Sequence, residues 1–370
     1  MQMPSRKLND QAPQGPCPPQ SSPSGSRRGD IWSRLGPLKP EPSSATVVKV
    51  DKHPYSDAEL VVEGSALQAD PTLGFTELGK NFNIYLKQVD SAQDFVTFGK
   101  NARLKWIVLA DGHGKSSVIN CIRAIKWEDI IEADNINGIV YSAIRALGNT
   151  AGDGSTLTIV KIYPTYIDCY WAGDSEARVF RNKVEVFRTL NHDAQNSLEM
   201  ERFEGLSTKV SSERCAYLHA VNALTVTQSF QTSRYFAFSS LFTDPKSGAI
   251  LPEKCKINMT HSFGHNGMSG NFMSYSRIPL CKEGDGSDTV YKVIVGSDGF
   301  WDMICNSDHD LIAEKYINSF DLGNIAISRW NKTWEYFLVK DRYDNLIEIR
   351  NRIHVGKGDD VSVGVWVGKI

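Results

Sequence analysis

Four aspartates in this sequence stand beside apolar runs of the kind that form strands. Asp111 follows the apolar residues 105–110 and opens Asp111-Gly112-His113-Gly114-Lys115. Asp298 follows residues 293–297 and opens Asp298-Gly299-Phe300-Trp301-Asp302. Asp359 precedes the last apolar run, in Gly358-Asp359-Asp360-Val361-Ser362-Val363, and Asp94 lies ahead of the first. A carboxylate at a strand end is held by a rigid element yet points into open solvent. A neighbouring glycine lets the backbone approach a ligand and offers its carbonyl as another. Mg²⁺ and Mn²⁺ favour such oxygen ligands and retain several waters. Carboxylates from four strand ends, converging at one sheet edge, would hold two ions roughly 3.5–4 Å apart around a shared aspartate. Such a pair of ions generates a hydroxide and clamps a phosphoryl group. One Asp-Gly pair alone is an ordinary turn; the repetition after apolar runs is what points to a site.

The elements that must position these residues read as mixed α and β. Residues 81–89 alternate as a strand, and 103–110 form an apolar strand that runs into the Asp111 turn. Residues 127–148 and 310–320 have helical spacing, as do residues 324–339. Residues 155–163 and 166–173 predict a hairpin split at Pro164-Thr165, and 177–188 predict a second that turns at Asn182-Lys183. Residues 289–299 and 361–368 are further strands. Hairpins imply antiparallel pairing, so the expected fold is α+β, a β-sandwich of two antiparallel sheets flanked by helices. The stretch 200–285 gives no clear pattern and reads as insertions or loops over the site.

Residues 1–45 are rich in Pro, Ser, Gly and Gln and bury too little apolar surface to offset ordering, so they read as a disordered tail. Residues 46–78 form a transition segment, and 79–370 the catalytic domain. The chain of 370 residues carries 41 Lys and Arg against 43 Asp and Glu, a net charge of −2. That balance argues against a nucleic-acid binder, which normally shows a basic excess. The 7 cysteines form no CxxC pair, so a disulfide framework or zinc-thiolate cluster is not expected. With no long apolar run and no secretory leader, the expected setting is intracellular, cytoplasmic or nuclear, with a monomer favoured.

Several segments resemble the metal-dependent serine/threonine protein phosphatases of type 2C. Residues 111–115 resemble the family's DGHGG signature, and 172–180 its GDSRA segment. Residues 295–302 resemble ASDGLWD, and 359–367 the terminal DNMSVIVV. All four occur in the family's order, and Gln93-Asp94 is similar to an upstream NQD or MED element. The resemblance spans roughly residues 80–369 and implies Mg²⁺ or Mn²⁺ as cofactors, two ions per site with a weaker third. It implies a phosphorylated protein as substrate, hydrolysed by direct attack of a metal-bridging hydroxide on phosphorus. Asp111 would bridge the ions, with the Gly112 carbonyl completing one shell; Asp298 and Asp359 would hold the other ion. Asp94 would bind through water or act as a support, and Asp174 would help bind the third. His113 would be the general acid that protonates the leaving seryl or threonyl oxygen.

The sequence also departs from the family's pattern. Val89 stands five residues before Asp94, where the family often has a phosphate-binding arginine; Lys87 nearby is the candidate to replace it. A lysine is a point charge without arginine's bidentate fork. Asp360 replaces an asparagine and places extra negative charge beside the site. Glu176 takes an arginine's place after the GDS segment, with Arg178 two residues on. In residues 259–267, similar to the family's SRALGD segment, His265 replaces the aspartate; His261 and His265 read as structural or loop residues. The alternatives to an active phosphatase are a phosphatase-like binding or scaffold protein and a different two-metal hydrolase such as a nuclease.

Overall fold

The computed structural model describes residues 67–68, 75–78, 81–89, 92–193, 196–204, 210–221, 229–243, 248–257, 259–267, 270, 272–282, 288–304, 306–314, 317–331, 334–340, 348–353 and 358–370. The chain divides into two units, Met1–Asp57 and Ala58–Ile370, and the described residues belong to the second. The expected tail at 1–45 lies outside them. The segment 46–78 contributes two short strands, Leu67–Gln68 and Phe75–Glu77.

Two antiparallel sheets dominate. The first runs in the order Leu67–Gln68, Asp94–Lys100, Lys105–Gly114, Leu157–Ile162, Tyr166–Ala172 and Ser274–Pro279. The second runs Val184–Arg188, Glu176–Arg181, Val290–Gly296, Val361–Lys369, Phe82–Lys87 and Phe75–Glu77. Side-chain alternation sorts the residues into layers. Val96, Phe98, Ile107, Leu109, Val160 and Cys169 of the first sheet pack against Phe82, Ile84, Leu86, Val293 and Val295 of the second. The outer face of the second sheet, including Ile294, Val361, Val363 and Val365, is covered by Phe300, Trp301, Leu322 and Trp330 from helices. Trp106, Val108 and Ile159 on the other outer face lie under Val118, Ile122, Ile136 and Val140. Burial on both faces explains why these strands read as nearly continuous apolar runs. The expected helix-flanked sandwich is the fold found. Among the described residues no helix is long and apolar enough to cross a membrane.

The second hairpin turns at the expected pair, where Asn182 and Lys183 both adopt the left-handed conformation (φ 48° and 71°) that a two-residue turn of this hand requires. Helix boundaries differ from expectation. Residues 127–148 form two helices, Trp127–Ile130 and Ile136–Arg145, because the Asn135 side chain accepts from Gly138 N and starts a new helix. Residues 310–320 hold only the end of His309–Ala313 and the start of Ser319–Trp330. Asn318 and Asp321 form a capping box that fixes that start. Residues 324–339 are not one helix: it stops at Trp330, and Trp334–Lys340 is a strand. Asn331 ends the helix, and the Trp, Tyr, Phe and Val beyond it favour a strand. The unreadable 200–285 stretch supplies Val210–Val221, Ser229–Thr243 and Ile250–Ile257. These join Trp334–Lys340 and Glu348–Ile353 in a third, five-stranded antiparallel sheet.

Phe98 is fully buried in the sandwich core, with its ring edge-on to Phe82 at 4.8 Å between centroids. Phe98→Ala is expected to cost about 3–5 kcal/mol of stability. The check is a denaturant titration, in which the midpoint falls while the slope stays constant.

Candidate active site

Antiparallel pairing gathers the aspartates at one end of the sandwich. Asp94 begins its strand directly opposite Asp111, which lies near the end of Lys105–Gly114. On the other sheet Val290–Gly296 pairs with Val361–Lys369, Gly296 opposite Val363. The exit of one strand, at Asp298, therefore meets the entry of the other, at Asp359. Ser297 and Ser362 stitch the two turns: Ser297 N donates to Ser362 O (3.1 Å), and Ser362 N to Ser297 Oγ (3.2 Å). Gly299 is required here, since a Cβ would collide with the Asp360 carbonyl. Asp174 follows Tyr166–Ala172 by way of Gly173, whose φ is 104°.

Electrostatics tie the five together, with Asp298 as their common neighbour. Burial holds the Asp111 carboxyl well above the usual carboxylate range, and Asp298, Asp94 and Asp359 push it further. Burial raises Asp94 in the same way, with Asp360 and Asp298 adding to it and Ser362 and Ser297 opposing. Asp174 is raised by burial, then by Asp298, Asp193 and Asp302. Asp359 is pushed up to about 7, by burial first and Asp298 second. Oδ2 of Asp94 and Oδ1 of Asp174 are buried without a hydrogen-bond partner. Among the described residues none of the five carboxylates forms an ion pair with Lys or Arg. A group of crowded carboxylates with unpartnered oxygens and no ion-paired Lys or Arg among the described residues is the donor set that hard divalent ions fill.

The surrounding loop is built by residues whose roles the sequence did not reveal. Buried Asp360 turns both oxygens to backbone: Oδ1 accepts from Val89 N (2.6 Å), Oδ2 from Gln93 N (2.6 Å) and Asp94 N (3.2 Å). Asp360 thus anchors the loop before Asp94, and the Val89 position is committed through its amide. Arg123 donates to the carbonyls of Ala92 (2.6 Å) and Asp94 (2.9 Å) from the opposite side. Lys87 ends its strand opposite Val361 with an exposed side chain. Glu176 is buried and takes a hydrogen bond from Arg178, whose guanidinium lies 3.9 Å from the Trp301 ring centroid.

His113 lies just beyond Asp111, and its Nε2 is 2.6 Å from Nε2 of His265, with the rings stacked 4.8 Å apart. Burial, then His265, pushes His113 down to about 3; burial pushes His265 down to about 4. His265, read from sequence as a loop residue, therefore stands against the candidate general acid.

His192, Glu199 and His261 form a buried group close enough to meet around one ion. The protonation of His192 argues against that use. Gly173 N donates to its Nδ1 (3.1 Å), so its hydrogen sits on Nε2, which then donates to Ser274 Oγ (2.8 Å). No ring lone pair remains for a metal. With Thr260 donating to Glu199, the group ties together the loops beside Asp174.

The family model for Protein phosphatase 2C matches residues 140–326, just over half of the chain. The chain belongs to the protein phosphatase 2C family. The matched span contains Asp174 and Asp298; Asp94 and Asp111 lie outside it on adjacent strands of the first sheet, and Asp359 lies outside it two residues before the strand Val361–Lys369. No curated protein matches the sequence. Among solved structures, a serine-threonine phosphatase 2C from Toxoplasma gondii is 12% identical over 84% of this chain and 100% of its own, with a TM-score of 0.46. A C. elegans sex determining protein is 14% identical over 79% of this chain and 66% of its own, with a TM-score of 0.44. The catalytic domain of the serine threonine protein phosphatase PstP, in complex with 2 manganese ions, is 13% identical over 78% of this chain and 97% of its own, with a TM-score of 0.39.

Two outcomes follow from this geometry. The raised carboxyls hold their protons more tightly folded than unfolded. The stability they lend is present at low pH and lost as pH rises through their folded values, about 7 for Asp359. In chelator the melting temperature is expected to fall between roughly pH 5 and pH 8, and excess Mn²⁺ or Mg²⁺ to abolish that fall. Thermal melts at both pH values check it. Asp360→Ala leaves three amides without their acceptor and is expected to cost about 2–3 kcal/mol by denaturant titration, with Asp360→Asn in between.

Proposed function

We propose that the chain is a metal-dependent protein serine/threonine phosphatase that hydrolyses phosphoserine and phosphothreonine in protein substrates. The observation that carries this reading is the carboxylate group centred on Asp298, with buried unpartnered oxygens on Asp94 and Asp174. Asp111, Asp298, Asp359, Asp94 and the Gly112 carbonyl are the ligands for two Mg²⁺ or Mn²⁺ ions, and Asp174 contributes to a weaker third site. Bound there, the pair of ions would supply the hydroxide that attacks phosphorus directly and would neutralise the phosphoryl oxygens.

The chain's own residues do the rest. Asp360 and Arg123 hold the loop that carries Asp94, so the ligand set is fixed before substrate arrives. As the bond between phosphorus and the seryl or threonyl oxygen breaks, its electron pair stays on that oxygen, and His113 supplies the proton. Lys87 is the candidate contact for the substrate phosphate.

A binding or scaffold role without turnover is the second reading. Its support is the Val89 position, which offers a backbone amide where a cation is expected, while the nearby Arg123 is engaged with two carbonyls. Hydrolysis of p-nitrophenyl phosphate and of a phosphothreonine peptide separates the two. Turnover with Mn²⁺ or Mg²⁺ that chelator removes, and that Asp298→Asn lowers by roughly 100-fold or more, is expected. A folded protein that binds Mn²⁺ yet hydrolyses neither substrate would establish the scaffold reading.

A further inference from the structure

We propose that Trp330 is a positioning residue for the metal site, holding the turns of Asp298 and Asp359 in fixed relation so that both carboxylates serve one ion. This rests on the phosphatase reading above.

The two acids need such a device. They arrive on separate segments, and like charges brought together repel one another. A long excursion also precedes Asp359. The chain leaves the sandwich after Asn331, supplies the strands Trp334–Lys340 and Glu348–Ile353 to the third sheet, and returns at Gly358. No short connection therefore tethers the turn of Asp359 from that side.

Trp330, the last residue of the helix Ser319–Trp330, touches both turns. Its Nε1 donates to the carbonyl of Gly299, the neighbour of Asp298 (2.7 Å). The short helix Asp298–Trp301 leaves that carbonyl open, because Met303 N, four residues on, donates to Phe300 O (3.1 Å) instead. On the other side Gly358, the neighbour of Asp359, lies against the indole. A Cβ there would come within 3.0 Å of Trp330 Cβ, Cδ2 and Cε3. The two turns meet as well, since a Cβ on Gly299 would stand 3.0 Å from the Asp359 Cβ.

The helix that carries Trp330 is fixed at both ends. At its start Ser319 N donates to the Asn83 side chain (2.8 Å), and Gly323 lies against the Tyr85 ring, both on Phe82–Lys87. At its end the Arg329 guanidinium donates twice to the Asp308 carboxylate (2.6 and 2.9 Å) and once to the Met303 carbonyl. A bidentate pair of this kind adds geometric definition as well as energy. Arg329 grips the segment that leaves Asp298–Trp301, and Trp330 grips the turn that enters it. A rigid indole bonded to one turn and packed on the other sets their spacing without itself being a ligand.

The test is Mn²⁺ binding to the full chain by titration calorimetry, beside thermal melts in chelator. Trp330→Phe keeps an aromatic ring and loses the N–H. It is expected to raise the Kd for Mn²⁺ by roughly 10- to 100-fold. Trp366→Phe is the control. Trp366 is buried in the sandwich core opposite Phe82 and Val293, and its Nε1 has no hydrogen-bond partner among the described residues. Its loss should lower the melting temperature in chelator and leave the Kd within about 2-fold of wild type. A purely structural role for Trp330 would lower the melt alone. Should Trp330→Phe not melt cooperatively, Gly358→Ala carries the same comparison, because its added Cβ presses on the indole without removing it, and its Kd should rise too. With either variant, a Kd within about 2-fold of wild type, or an equal rise in Trp366→Phe, overturns the proposal while leaving the metal site intact. A wild-type chain that binds no Mn²⁺ overturns the phosphatase reading with it.

Discussion

The crowding of five carboxylates at one end of the sandwich is the constraint on which the rest of this structure depends. Desolvation is the first cause that raises Asp111, Asp174, Asp359 and Asp94; Asp298 then adds to all four, and Asp360 adds more than Asp298 to Asp94. No fold gathers five acids at one end of a sandwich for its own stability, because each is held at a cost in desolvation. The surrounding structure has to over-determine their positions, and it does so with backbone. The antiparallel registers place Asp94 against Asp111 and Gly296 against Val363, and the Ser297–Ser362 bonds close the turns between. The charge left unbalanced is where a divalent ion has most to gain.

The acids and the sandwich core are consequences of the same pairing. Val293 and Val295 face the opposing sheet and Ile294 faces the helices, so strand register is fixed on both faces. A slip by one residue would exchange the two faces and move Asp298 away from Asp359. Core packing therefore sets site geometry directly, and the large apolar residues next to the site serve position as much as stability. Trp330 shows the link: it belongs to the helix-side core and donates from Nε1 to the Gly299 carbonyl (2.7 Å), bracing the turn that carries Asp298.

How much of this was legible in the sequence depended on how local each feature is. Asp111, Asp298 and Asp359 could be found because each abuts an apolar run, and the Asn182-Lys183 turn because its chemistry is contained in two residues. The split of 324–339 into helix and strand was missed because the aromatic residues 334–339 fit helical spacing as well as strand alternation; only the polar Asn331 marked the break. The 200–285 stretch was illegible for a different reason: Val210–Val221 pairs with Trp334–Lys340, more than a hundred residues away. The meeting of His113 with His265 is non-local in the same way. Its one sequence trace was the glycine at 154, where a Cβ would collide with both imidazoles and which looked like any other glycine.

Asp360 shows how a departure from family pattern can be a local solution. Read from sequence, it adds an anion to a site already short of cations. In the structure its carboxylate faces three amide donors, from Val89, Gln93 and Asp94. An asparagine offers one carbonyl oxygen and an NH₂ group, and the NH₂ would point at amides that are themselves donors. The loop that ends at Asp94 therefore needs two acceptor oxygens at this position. Three charge-assisted hydrogen bonds and the Arg123 guanidinium offset part of the negative charge, while the remainder still raises Asp94. The Val89 amide is one of those donors. The loop is fastened through its backbone here, which leaves the task of meeting a substrate phosphate to a side chain outside it.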